Sequence, residues 1–166
     1  MKRFNVSEDF WDLGKLEMGT IVYDVTDIEA FGSFRSIIMR GPMAWCCYIG
    51  IPLDHSLANK SYEDDIFNPF HCHGGLTFAG SGDDVYLPSG WFFYGWDYGH
   101  AGDYAHYGSS SRASGKKWTF GELKKEIKES LKDFRDVIGK YIVLDGPKPI
   151  LKRDYKKKRL IRIDKA

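Results

Sequence analysis

Thr119-Phe120-Gly121-Glu122-Leu123-Lys124-Lys125-Glu126-Ile127-Lys128-Glu129-Ser130-Leu131-Lys132-Asp133-Phe134-Arg135-Asp136-Val137-Ile138-Gly139 is the stretch that decides the fold class. Thr119 and Glu122 form a capping box, in which two side chains satisfy each other's free backbone N–H groups at a helix start. Phe120, Leu123, Ile127, Leu131, Phe134 and Ile138 then recur at intervals of 3, 4, 4, 3 and 4 residues. That spacing puts one apolar stripe on a helix of about five turns, with Lys and Glu elsewhere on its surface. Gly139 is expected to end the helix as a C-cap.

Outward from the helix, the pattern changes to short β-like runs. Residues 20–25 (TIVYDV), 34–40 (FRSIIMR), 45–51 (WCCYIGI) and 91–96 (WFFYGW) read as strands, punctuated by Gly41-Pro42 and Pro52. Residues 140–144 and 159–163 are expected to be closing strands joined through a turn at Asp145-Gly146-Pro147. Residues 1–19 read as a short helix or turn, 53–69 as a loop, and 70–80 as β-prone only around Leu76 to Phe78. Residues 97–114, rich in Gly, Tyr and Ser, read as a long loop. One long helix in the C-terminal half and several short, mostly antiparallel strands in one sheet make an α+β fold, the helix packed on the sheet.

The 166 residues suit a single domain. Within it, residues 1–43 carry N-terminal strands, 44–139 the motif-bearing core and 140–166 a basic extension. Twenty-six aromatic residues supply enough apolar area to exclude disorder. No apolar run is long enough to span a membrane, and Ser7, Glu8 and Asp9 follow the start instead of a leader-like run. The expected compartment is the cytoplasm, with Cys46, Cys47 and Cys72 as reduced thiols. Residues 140–166 carry ten Lys/Arg and three Asp/Glu, against fourteen and twenty in residues 1–139. This basic tail either contacts nucleic acid or lies solvated against the acidic body.

Chemistry concentrates between positions 71 and 108. Four of the five histidines and nine of the eighteen glycines fall there. Imidazoles in glycine-punctuated loops are a site signal, because imidazole titrates near neutrality and glycine lets backbone approach a ligand. In His71-Cys72-His73-Gly74-Gly75-Leu76-Thr77, an extended backbone would put His71 and His73 on one face, able to chelate a divalent ion. Gly74 and Gly75 could present amides to an anion, or form a plain bulge. In Asp97-Tyr98-Gly99-His100-Ala101-Gly102-Asp103, a carboxylate could orient His100 as a general base, or serve only as a local cap. Trp45-Cys46-Cys47-Tyr48 with His55 downstream offers a weak Cys/His pairing against a core role for both thiols. Tyr98, Tyr104 and Tyr107 are core residues or platforms for stacking a base. No phosphate-binding loop, GxGxxG, GxSxG, HExxH or CxxC pattern occurs.

Three segments also resemble, in order, a known set. Trp45-Cys46…Tyr48-Ile49-Gly50-Ile51-Pro52…His55 is similar to W-C-G-Y-V-G-V-P…H. His73-Gly74-Gly75-Leu76-Thr77-Phe78 resembles H-G-G-L-T-Y. Phe93-Tyr94-Gly95-Trp96-Asp97-Tyr98-Gly99-His100-Ala101-Gly102-Asp103 resembles W-F-G-F-D-C-A-H-A-G-D. They occur together in a family of small hypothetical proteins of bacteriophages and bacterial genomes, and the likeness spans residues 44–135. The chain departs from that pattern at Cys47, Tyr98 and Gly99. The resemblance implies a phage or prophage setting and singles out Trp45, His55, His73, Gly74, Gly75, Thr77, Asp97, His100 and Asp103.

The expectation is therefore a small hydrolase. His73, Asp97, His100 and Asp103 would be catalytic, with His100 as base or metal ligand and His73 as acid or second ligand. Trp45, His55, Gly74, Gly75, Thr77 and Tyr98 would bind a phosphate-bearing small molecule such as a nucleotide or cyclic nucleotide. A divalent metal is one option for the cofactor. The alternative is a non-catalytic counter-defence protein that sequesters a small ligand or inhibits a host protein.

Overall fold

The computed structural model describes residues 1–29, 32–107, 110–111, 114–144, 150–154 and 159–163. Five antiparallel strands form the main sheet: β1 (Ile21–Glu29), β2 (Gly32–Arg40), β3 (Trp45–Pro52), β4 (Phe78–Ser81) and β5 (Trp91–Asp97). Their order is β1-β2-β3-β5-β4. Two two-residue strands, β6 (His106–Tyr107) and β7 (Ser110–Ser111), pair within the 97–114 stretch. Helix α1 (Phe120–Leu144) follows, and a separate hairpin of β8 (Ile150–Asp154) and β9 (Arg159–Ile163) comes last.

Strand alternation assigns the faces. Trp45, Cys47, Ile49 and Ile51 of β3 and Phe92, Tyr94 and Trp96 of β5 are buried on the face that meets α1. Leu123, Ile127, Leu131, Phe134 and Ile138 of the helix complete this core, as their spacing requires. The opposite face buries Ile37, Met39 and Phe93 beneath Leu87 of the loop before β5. Two cross-strand pairs there, Tyr48 with Gly95 and Phe93 with Gly50, lay an aromatic ring where a second side chain would clash. A hollow of about 320 Å³ opens on this outer face, lined chiefly by Met18, Met39, Tyr48, Phe78, Tyr86 and Leu87.

The helix start is built as its sequence dictates. Thr119 N–H donates to Glu122 Oε2 at 3.0 Å, and Glu122 N–H donates to Thr119 Oγ1 at 3.3 Å. The Phe10 and Glu8 carbonyls accept from Phe120 and Gly121 N–H, both at 2.8 Å. Helix N–H groups that have no partner within the helix are thus satisfied by the N-terminal segment.

The C-terminal expectations need correction. The helix passes through Gly139 to Leu144, so Gly139 is not its cap and residues 140–144 are not a strand. Tyr141 and Ile142 continue the i+3/i+4 spacing from Ile138, and one interior glycine costs a helix only about 1 kcal/mol. The partner of residues 159–163 is β8, not residues 140–144. The expected turn at 145–147 lies outside the described residues, as do the side chains of the basic tail. Further upstream, residues 71–77 are irregular around a turn at His73 and Gly74, and β4 begins only at Phe78. The N-terminal stretch holds a 3-10 turn at Leu13–Lys15. No helix among the described residues is long and apolar enough to cross a membrane.

Candidate active site

Three segments meet at the end of the sheet where β5 finishes: the 72–75 turn, the 97–103 loop and the stretch leading into α1. Asp103 is the hub. Its carboxylate is buried, the residue being 4% exposed. Oδ2 lies 2.7 Å from His73 Nε2 and accepts the His100 backbone N–H at 3.0 Å. Oδ1 accepts the Trp118 indole N–H at 2.8 Å. A parallel bridge between Asp103 and Lys116 fixes the backbone around it. Burial by itself would raise the Asp103 pKa. The Trp118 and His73 hydrogen bonds, the His73 charge and the His100 amide outweigh it, so the pKa lies below the ordinary aspartate value of 3.8.

An ionised carboxylate only accepts, so the contact requires a proton on His73 Nε2, and in the neutral form of the ring it is Nδ1 that carries the lone pair. The imidazole is fixed in orientation as well. It stacks on Tyr98 with centroids 4.6 Å apart and planes 5° apart, and meets Trp118 edge-on at 5.0 Å. Its side chain remains 24% exposed. It borders a cleft of about 450 Å³ between the 71–75 turn and α1, shared with His71, Cys72, Glu126, Glu129, Ser130 and Asp133. This is the geometry of an oriented general base at a solvent-reachable hollow.

The expected four-residue cluster divides here. Asp97 and Tyr98 are consecutive at a strand end and therefore face opposite ways. Tyr98 points to the helix side, while Asp97 borders a small hollow with Cys46 and Gly99 on the other. Asp97 accepts Gly99 N–H at 2.9 Å and Thr77 Oγ1–H at 3.4 Å, the bonds of a loop cap. Thr77, expected among the substrate-binding residues, thus has its hydroxyl engaged with Asp97. His100 touches both halves: its ring lies 5.4 Å from that of His73, and its Nε2 is 3.8 Å from Asp97 Oδ1. That nitrogen is buried, with no hydrogen-bond partner among the described residues. His73, by contrast, has its Nε2 held by Asp103 and borders the open cleft.

Gly74 explains why His100 Nε2 is covered, although the side chain as a whole is 36% exposed. This glycine is the third residue of a turn closed by Gly75 N–H donating to Cys72 C=O at 3.2 Å, and its φ is +68°. A Cβ there would overlap the His100 imidazole. Gly75, at φ +84°, has nothing within 4 Å of its Cβ position. Its amide is spent on the turn, which removes one donor from the expected anion nest. We predict that Gly74→Ala lowers stability by about 2–4 kcal/mol, from the left-handed backbone plus the overlap, a drop of roughly 5–15 °C in Tm. Gly75→Ala incurs only the backbone part, about 1–2 kcal/mol. Equal melting temperatures for the two variants would remove the packing argument.

Other expected residues lie elsewhere. Trp45 is 2% exposed, with Phe10 edge-on at 6.2 Å, and so sits in the core, out of a ligand's reach. His55 follows Pro52, which pairs with Trp91, whereas Asp97 pairs with Cys46. Six residues of strand separate the two ends, about 20 Å. His55 Nδ1 accepts Leu57 N–H at 3.1 Å. Tyr98, 1% exposed, is a ledge for His73 and donates its hydroxyl to Glu126 Oε2 at 2.9 Å. His71 and His73 do not share a chelating face: His71 Nδ1 pairs with Asp133 Oδ2 at 3.1 Å. No group of three His, Cys, Asp or Glu side chains arranged to hold a metal occurs among the described residues. Burial pushes the Cys46 thiol up to about 11 and Cys72 to about 12, and holds Cys47 well above its usual value. At neutral pH none is a thiolate nucleophile.

Residue-by-residue reading missed Trp118 and the acidic edge of the cleft. The signal was present: Glu122, Glu126, Glu129 and Asp133 recur at 4, 3 and 4 residues, a second stripe on the same helix.

The Asp103 geometry has a consequence for acid stability. A folded-state pKa depressed below the unfolded value contributes stability that is complete above the unfolded value and lost as pH falls through the folded one. Stability should therefore decline below about pH 4, and Asp103→Asn should flatten that decline. Chemical denaturation between pH 2 and 7 checks it. An identical acid slope in the variant would mean that Asp103 does not carry the linkage.

Compared with protein-family models, curated proteins and solved structures, the chain finds no match, so the functional reading stands on the geometry of its own residues.

Proposed function

We infer that the protein is a small hydrolase in which His73, oriented by Asp103, acts as the general base. The observation that carries this reading is the 2.7 Å contact between His73 Nε2 and buried Asp103, on an imidazole that still borders an open cleft. His73 Nδ1 takes a proton from water as the resulting hydroxide adds to the electrophilic centre of the substrate. Asp103 stabilises the imidazolium, which then protonates the leaving group. Direct attack by water fits the site, because burial keeps the neighbouring Cys72 thiol protonated.

The phosphate-bearing substrate expected from the sequence gains no support from the charges. Glu126, Glu129 and Asp133 border the cleft, and the Gly75 amide is engaged in its own turn. The test is a screen of the purified protein against carboxylic esters, amides and phosphodiesters, with His73→Gln in parallel. Turnover that requires His73 supports the reading. Turnover unchanged in the variant, or a ligand bound tightly and recovered intact, overturns it, and the second outcome supports sequestration.

A further inference from the structure

The outer face of the sheet, opposite α1 and the His73 cleft, carries the hollow of about 320 Å³, and its walls are aromatic. Tyr48 and Phe78 have ring centroids 5.5 Å apart and planes 88° apart, so they form two sides of a corner. Glycines make room for both rings: a Cβ at Gly95 would overlap Tyr48, and one at Gly80 would press on Phe78. Glycine inside a strand is unfavourable, and close approach by a ligand is one reason to keep it there. Tyr86 closes another side, its ring held against Gly19, whose φ is +82°. Phe78 is 38% and Tyr86 45% exposed, so both rings are within a ligand's reach.

One carboxylate belongs to the hollow. Asp83 borders it, and Asp83 Oδ1 accepts the Val85 and Tyr86 N–H groups at 2.9 and 3.4 Å, which ties the charge to the loop carrying Tyr86. Arg40 also borders the hollow, but it pairs in register with Trp45, so its side chain leaves toward the helix side of the sheet. Its guanidinium donates to the Leu13, Gly41 and Pro42 carbonyls. Ring faces attract a cation, and the carboxylate supplies the opposite charge. A primary ammonium would leave N–H donors unmatched against apolar walls, whereas a methylated nitrogen has none to satisfy.

We propose that this outer hollow binds a small molecule carrying a quaternary ammonium group, seated in the corner of Tyr48 and Phe78, facing Tyr86, with Asp83 at the rim. The site is separate from the His73 cleft and holds whatever reaction that cleft performs.

The experiment is calorimetry of the full chain with choline, against 3,3-dimethyl-1-butanol, which has the same shape with carbon in place of the charged nitrogen. Choline is expected to bind about tenfold more tightly than the alcohol. Phe78→Leu keeps an apolar side chain on the edge strand and removes one ring, so it should weaken choline by about fivefold and leave the alcohol unchanged. Asp83→Asn keeps the oxygen that accepts from Val85 and Tyr86 and removes the charge. It should weaken choline by about threefold and flatten its salt dependence. His73→Gln should leave choline binding as it is, because the two sites lie on opposite faces of the sheet. Equal binding of choline and the alcohol would make the hollow a plain apolar site and overturn the proposal. No choline binding, or binding unaffected by both Phe78→Leu and Asp83→Asn, would overturn it as well. Self-association of the chain that Phe78→Leu abolishes would give the hollow to a second copy, with the same consequence.

Discussion

His73→Gln is expected to lower turnover of any substrate that the wild-type protein hydrolyses by about 10²–10⁴-fold, the usual contribution of a positioned acid–base group. Glutamine is the informative replacement. Its side-chain amide reaches roughly where imidazole Nε2 lies and can still donate to Asp103 Oδ2, so the hub with Trp118 and the His100 amide keeps its third partner. It cannot take up a proton. Melting temperature should therefore change little while kcat/KM falls. His100→Ala makes the contrast: its Nε2 is buried against Gly74, so it is expected to affect stability more than the chemical step. Steady-state kinetics on both variants decides the assignment. If His100→Ala abolishes turnover and His73→Gln does not, the base has been assigned to the wrong imidazole.

Phe134→Ala should destabilise the fold by about 3–5 kcal/mol, the range for a fully buried aromatic replaced by a methyl group. The site justifies the upper part of that range. Phe134 is 0% exposed and meets four other rings: Phe34 of β2, Phe67, Phe70 and Tyr94 of β5, at centroid distances of 6.2, 6.2, 5.7 and 5.9 Å. These partners come from three separated parts of the chain, so the cavity cannot be closed by one small shift. Against a typical domain stability of about 5–15 kcal/mol, such a loss is a large fraction of the whole. Asp136→Ala, two residues away on the exposed side of the helix, should change stability by less than about 0.5 kcal/mol. Urea denaturation measures both. A loss below about 1 kcal/mol for Phe134→Ala would mean that the helix is not seated on the sheet through this ring.

The two effects share an architecture. Helix α1 offers Phe134 to the sheet and Asp133 to the cleft, because consecutive helix residues point about 100° apart at 3.6 residues per turn. The Phe70 ring that packs on Phe134 is followed directly by His71 and then by the turn carrying His73. Core packing and site placement are therefore coupled. Phe134→Ala should loosen the 70–75 segment as well as the core.

Local rules carried much of the structure from the residues alone. The capping box at Thr119 and Glu122, the apolar stripe, the strand runs from 20 to 51 and at 91 to 96, and hence the α+β class, all follow from contacts within a few residues. The same rules failed where two local signals competed. Gly139 reads as a stop, yet the apolar spacing continues through it and the helix runs on. At the site, the sequence determined the residue types: His73 and Asp103 in glycine-punctuated loops, and an acidic stripe on the helix. It did not determine who meets whom. The different surroundings of His73 and His100 depend on a strand end where Asp97 and Tyr98 diverge, on Gly74 covering His100 Nε2, and on Trp118 arriving from fifteen residues beyond Asp103. Each is a long-range packing outcome, and the period-two and period-3.6 patterns that make elements legible carry no information about which loops come to lie side by side.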